Sequence, residues 1–149
     1  MVNQSPAIGY LLKNAQSLLR LRMEESLKPL GLTVSHYSCL FRLEREPGIS
    51  AAELARAAFV TRQSMNEMLQ TLRDRGLVER AAVASGGRAL PVRLTVPGAA
   101  ALTRAQAAVD AIQLRMLAAL TPADTDALAT ALASCVAALE HASTDAASD

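Results

Sequence analysis

The residues of this chain best suited to chemistry are hydrogen-bonding side chains spaced along one face of a helix. Within TRQSMNEMLQTLRD, Arg62, Gln63, Asn66, Gln70 and Arg73 recur on one side, and Met65, Met68, Leu69 and Leu72 on the other. Arg, Gln and Asn make bidentate hydrogen bonds with guanine and adenine edges in the major groove of DNA. A solvated helix face has the same make-up, so the flanking elements decide between the two readings. Catalytic patterns are missing: the sequence has no Gly-rich phosphate loop, no nucleophile elbow, no HExxH and no paired-cysteine metal motif, and only two histidines. An enzyme, a metal site and a cofactor are therefore not expected.

The elements around that face form a recognisable order. Ser50 followed by Glu53 has capping-box spacing and opens a short helix, with Leu54 and Ala58 inward. A tight turn follows, and Thr61 starts the polar-faced helix, which Gly76 ends in the left-handed position past its C-cap. From Leu77 the period changes. Leu77, Val78, Glu79 and Arg80 lead through AAVASGGRA to Leu90, Val92 and Leu94 in strict alternation, a β-hairpin with Gly86-Gly87 at its tip and Arg88 just beyond. Pro91 gives the returning strand an edge position. A hairpin directly after a helix-turn-helix is a wing, and the combination is more specific than either half.

Upstream, a helix is expected from about Pro6 to Pro29, with Ile8, Leu11, Leu12, Ala15, Leu18 and Leu19 as its stripe. Thr33 caps another through about Glu46, with Tyr37, Leu40 and Leu43 inward, and Pro47-Gly48 breaks it; Ile49 is read as one short strand rung. Downstream, a helix from about Gly98 to Leu120 carries Leu102, Val109, Ile112, Met116 and Leu120. Thr121-Pro122-Ala123-Asp124 caps a last one through about His141, striped by Leu128, Leu132, Cys135, Val136 and Leu139. Its tail STDAASD is small and polar. The terminal helices carry more apolar surface than the small winged domain covers, so a two-fold dimer built from both ends is expected.

At 149 residues and 15.7 kDa the chain has room for one domain with helical extensions. Alanine makes up much of its 51% hydrophobic fraction and aromatic residues are only 3%, a composition that favours helix but fills cores poorly. Net charge is +1, so bulk charge says nothing about nucleic acid; distribution does. From Ser50 to Thr95 the seven cations Arg56, Arg62, Arg73, Arg75, Arg80, Arg88 and Arg93 face the four acids Glu53, Glu67, Asp74 and Glu79, an excess of three carried entirely by Arg. Cys39 and Cys135 lie far apart in apolar stripes, and each reads as a small buried hydrophobe, with a redox role for Cys39 as the minor alternative. No apolar run approaches the roughly 18–20 residues of a membrane span, and the start lacks a secretory signal, so a cytoplasmic protein is expected.

The segments GLTVSHYSCLFRLEREPGIS, AAELARAAFVTRQSMNEMLQTLRDRGLVER and GGRALPVRLTVPGAA, with the phrases LxxxGLVxR and RxxxVxLTxxG, resemble the MarR family of winged helix-turn-helix repressors. The match covers nearly the whole chain, is closest between Gly31 and Gly98, and looks most like the small actinobacterial members. The fold class expected is mainly α: a winged helix-turn-helix at 31–97 with a small β-hairpin wing, an N-terminal dimerisation helix at 1–30, C-terminal dimerisation helices at 98–142, and a flexible tail at 143–149.

The resemblance implies a homodimer on a pseudo-palindromic, double-stranded DNA operator. Thr61, Arg62, Gln63, Ser64, Asn66 and Gln70 would lie in the major groove and Arg88, from the wing, in the minor groove. The first amides of the Thr61 helix, with the Thr61 and Ser64 hydroxyls, suit a phosphate, and Arg73 and Arg75 would serve the DNA backbone or intramolecular pairs. Family members commonly have Asp two residues before the wing Arg; Gly86 stands there, which with Gly87 implies a more mobile tip and a larger ordering cost on DNA. The family often binds small aromatic or phenolic effectors between dimerisation helices and winged domain, and Tyr10, Leu12, His36, Tyr37, Leu40, Met65 and Met68 are the matching candidates, although Tyr37 and the methionines suit a plain core better. The reading is a ligand-responsive repressor that touches no membrane. The alternatives are a redox regulator using Cys39 and a winged-helix protein-interaction adaptor, which would show apolar anchors where Arg62, Gln63, Asn66 and Gln70 stand.

Overall fold

The computed structural model describes residues 7–81 and 91–145. Helix α1 spans Ile8–Leu27 and tightens into a 3-10 turn, Lys28–Leu30; α2 spans Val34–Arg45, α3 Ala51–Ala57 and α4 Arg62–Asp74. Strands β1 (Val78–Arg80) and β2 (Val92–Leu94) follow, then α5 (Val96–Leu117) and α6 (Pro122–Asp145). The described residues fall into two compact units, one ending at Ile112 and the other beginning at Gln113. No helix among them is long and apolar enough to cross a membrane.

Local chemistry sets the helix starts. Thr33, Ser50 and Thr61 are N-caps in extended backbone, and each hydroxyl accepts the N–H three residues on, from His36, Glu53 and Ser64. Thr121 does the same for Asp124 at 3.1 Å. Inside the first unit, Leu27, Leu40, Leu54, Met65, Leu72 and Val78 are fully enclosed, so the end of α1, the middle of α2, both helices of the helix-turn-helix and β1 share one core. The strands pair antiparallel as Val78 with Leu94, Glu79 with Arg93 and Arg80 with Val92.

Two glycines answer specific needs. Gly76 sits at φ +71° past the C-cap of α4, where its N–H and that of Leu77 bond the Arg73 and Leu72 carbonyls at 2.9 and 3.0 Å. Gly98, in the first turn of α5, passes so close to β1 that a Cβ there would lie 1.9 Å from the Leu77 carbonyl oxygen. Thr95 ties the same junction: its N–H reaches the Leu77 carbonyl at 3.1 Å and its hydroxyl accepts from the Gly98 N–H at 3.0 Å. The phrase LTxxG is thus the hinge between wing and helix, with each fixed letter occupied.

The turn between α3 and α4 repeats the Gly76 motif with a different residue. The N–H groups of Phe59 and Val60 bond the carbonyls of Arg56 and Ala55 at 3.2 and 3.0 Å, and Phe59 holds φ +55°. The left-handed region costs a side-chain-bearing residue about 1–2 kcal/mol, and Phe59 is the only non-glycine there among the described residues.

Several expectations need correction. Ile49 is buried but forms no strand rung, because its N–H turns back to the Glu46 carbonyl at 3.1 Å. On α3 the buried partner of Leu54 is Ala55; Ala58 is the exposed C-cap, since a seven-residue helix has ended before it. Helix α5 begins two residues earlier than Gly98, on the Thr95 cap, and ends at Leu117. Cys135 is exposed rather than buried, because the α6 stripe of Leu128, Leu132, Val136 and Leu139 is itself exposed in the single chain. Helix α6 continues to Asp145, as nothing between His141 and there breaks it.

Candidate nucleic-acid interface

Helix α4 rests on the core through Met65, Leu69 and Leu72, which rotates Thr61, Arg62, Gln63, Ser64, Asn66 and Gln70 to the exposed side. The cap fixes where the helix starts. The Thr61 hydroxyl accepts the Ser64 N–H and donates to Ser64 Oγ, both at 3.0 Å, so it is committed within the chain. The N–H groups of Arg62 and Gln63, in the first turn, retain the open, positive helix terminus that suits a phosphate.

The exposed side chains differ in readiness. Arg62 and Asn66 make no side-chain hydrogen bond among the described residues. Gln70 donates to Asp74 at 2.7 Å, and Gln63 reaches Glu67 at a long 3.4 Å. Gln70 must leave a carboxylate to meet a base; Arg62 and Asn66 need only approach. Further along, Arg73 is half-buried and its Nε has no hydrogen-bond partner among the described residues. Arg75 donates to the Gly31 carbonyl at 2.7 Å, which fastens the end of α4 to the junction of α1 and α2. On the hairpin, Arg93 pairs with Glu79 across the strands at 3.0 Å. Gly86, Gly87, Arg88 and Leu90 lie outside the described residues.

The effector candidates occupy different settings. Tyr10 and Leu12 are exposed on α1, while Leu40 is fully enclosed in the core and Met68 is half-buried against it. His36 completes a capping box with Thr33, its Nδ1 accepting the Thr33 N–H at 3.3 Å. Burial holds the His36 pKa below its ordinary value, and the nearby Arg75 charge adds to that. Tyr37, Leu40 and Met65 share the core with Met68 packed against it, and Tyr37 and Met65 also line a cleft of about 310 Å³ between α2, α3 and α4.

Ser38, Cys39, Phe41, Arg42, Leu54, Ala57 and Ala58 complete the cleft, and of these Ser38, Phe41, Arg42 and Ala57 carry no sequence expectation. Tyr37 and Phe41 stack one helical turn apart, ring centroids 6.0 Å and tilted 39°, with Arg45 over the Phe41 ring at 4.9 Å. Arg42 is paired with Glu46. The i, i+4 repeat in YSCLF was the available signal. Cys39 is buried, and that burial pushes its thiol up to about 11, so it is protonated at neutral pH. Burial and the raised pKa both disfavour the thiolate that a redox trigger uses.

A winged helix-turn-helix with a polar recognition face defines a class of DNA-dependent regulators, and sequence comparison agrees. The MarR family model MarR_2 matches residues 30–89. The HTH-type transcriptional repressor Rv2887 of Mycobacterium tuberculosis is 48% identical over 114 residues, which cover 76% of this chain and 82% of that protein. The crystal structure of Rv2887 in complex with salicylic acid superposes with a TM-score of 0.73 at 42% identity, covering 91% of this chain and 99% of that one. Its complex with DNA superposes at 0.73 and 39% identity, covering 89% and 98%. The chain belongs to the MarR family of transcriptional regulators, and is not an enzyme.

Proposed function

We propose that this chain is a homodimeric repressor that binds a pseudo-palindromic operator and is released by a small aromatic or phenolic ligand. The observation that carries the reading is the exposed face of α4, with Arg62 and Asn66 unengaged beside the open N–H groups of a capped helix start. Thr61 through Ser64, Asn66 and Gln70 take the major groove, Arg88 the minor groove, and Arg73 the flanking backbone. Arg75 serves the interface indirectly by holding α4. No apolar anchor interrupts the face from Arg62 to Gln70, which favours DNA over a protein partner.

The apolar residues left exposed on the terminal helices support the dimer: Ile8, Leu11, Leu18 and Leu21 on α1, Leu114 and Met116 on α5, and Leu128 and Val136 on α6. Residues 1–30 and 98–142 are the dimerisation segments in this reading, and 31–97 the DNA-binding domain. The protein works in the cytoplasm, on chromosomal DNA. The Tyr37–Phe41–Arg42 cleft supports the ligand response, since it offers aromatic faces and a cation to an aromatic acid.

Anisotropy titration against the chain's own upstream DNA tests the reading. Wild type should bind tightly with strong salt dependence, and Arg62→Ala, Arg88→Ala should bind far more weakly. Equal and weak binding by both at moderate salt would sink it. Millimolar salicylate should lower operator affinity; an unchanged affinity would remove that compound class.

A further inference from the structure

Phe59 is the least explained residue of the described chain. The residue is 95% exposed, and its backbone is held at φ +55° in a motif where glycine carries no strain. Burial does not compensate for that conformation, because almost none of the ring is covered. Its backbone is held, however: its N–H and that of Val60 close the end of α3 at 3.2 and 3.0 Å, so the ring stands on a fixed mount. That mount lies two residues before Thr61, the cap of α4, and between the exposed cations Arg56 and Arg62. A solvent-facing aromatic on a fixed backbone, flanked in the sequence by cations and just before the cap of α4, matches the edge of a DNA groove, where apolar carbon is also available.

We infer that Phe59 is a sequence-reading residue that packs its ring against a thymine methyl group at the outer edge of each operator half-site. Apolar side chains, phenylalanine among them, recognise thymine in the major groove through its C5-methyl group. The contact adds discrimination for T without hydrogen bonds, beside the polar readout from Arg62 onward. It extends the recognition surface from α4 into the turn before it. The strain at Phe59 then has a physical role: it aims the ring outward rather than back onto the core. This inference rests on the DNA-binding reading proposed above.

The test uses full-length protein and its own upstream DNA, first footprinted with wild type. Absence of any wild-type footprint would sink the DNA-binding reading itself, and this inference with it. With a footprint in hand, Phe59→Ala should weaken binding about tenfold, the size of one lost base-pair contact. The slope of affinity against salt should stay unchanged, because no phosphate contact is lost. Replacing the half-site thymines by deoxyuridine, which lacks the methyl, should weaken wild type but leave Phe59→Ala unaffected. Equal losses for the two proteins on deoxyuridine DNA would overturn the inference, as would wild-type affinity in Phe59→Ala. Phe59→Gly guards against a folding artefact: it should unfold at a urea concentration no lower than wild type while binding DNA as weakly as Phe59→Ala.

Discussion

The hydroxyl of Tyr37 on α2 donates to Oε1 of Gln106 on α5 at 2.8 Å, and Gln106 in turn donates to Asp110 at 2.7 Å. One side chain thus lines the cleft and ties the scaffold helix of the winged domain to α5. Burial raises the Tyr37 pKa, opposed in part by that hydrogen bond to Gln106. Tyr37→Phe keeps the ring and removes the link. It should cost about 0.5–1.5 kcal/mol, read as a lower urea midpoint at unchanged m-value.

Cys39 sets an alkaline limit. Its folded pKa of about 11 lies above the ordinary 9.0, so its contribution is complete below pH 9 and is lost as pH rises through 11. A two-unit shift corresponds to about 2.7 kcal/mol. Urea midpoints should fall more steeply between pH 9 and 11 in wild type than in Cys39→Ala. At pH 8, iodoacetamide should modify Cys39 only after unfolding.

His36 sets an acid limit of opposite sense. Its folded pKa lies below the ordinary 6.5, so the unfolded chain binds the extra proton first. The stability held by neutral His36 is full above pH 6.5 and declines as pH falls through its depressed pKa. Protonation also removes the Nδ1 acceptor that caps the Thr33 N–H. His36→Gln supplies an acceptor that does not titrate, and its midpoints should be flatter than wild type between pH 7 and 5.

Gly98→Ala sets two effects against each other. Alanine improves helix propensity by about 1 kcal/mol, but its Cβ would meet the Leu77 carbonyl at 1.9 Å. That carbonyl accepts the Thr95 N–H and belongs to the wing hinge, so it cannot step aside cheaply. The clash should win, with a net loss of about 1–3 kcal/mol, measured by thermal or urea unfolding.

What the sequence determined by itself is everything that follows from near neighbours. Thr33, Ser50, Thr61 and Thr121 announce their helices because a cap is a contact across three residues. Met65, Leu69 and Leu72 announce the buried side of α4, and so its exposed one, because 3.6-residue periodicity is local. The alternation through Val92 and Leu94 does the same for the wing. The exposed polar face of α4 was therefore legible before any fold was known.

Only the tertiary structure decided what depends on distant pairs. Nothing near Tyr37 in the chain foretells Gln106, 69 positions away, and nothing near Arg75 foretells the Gly31 carbonyl, 44 positions back. The cleft was hidden for the same reason: packing alone brings Phe41, Arg42 and Ala57 to Tyr37 and Met65.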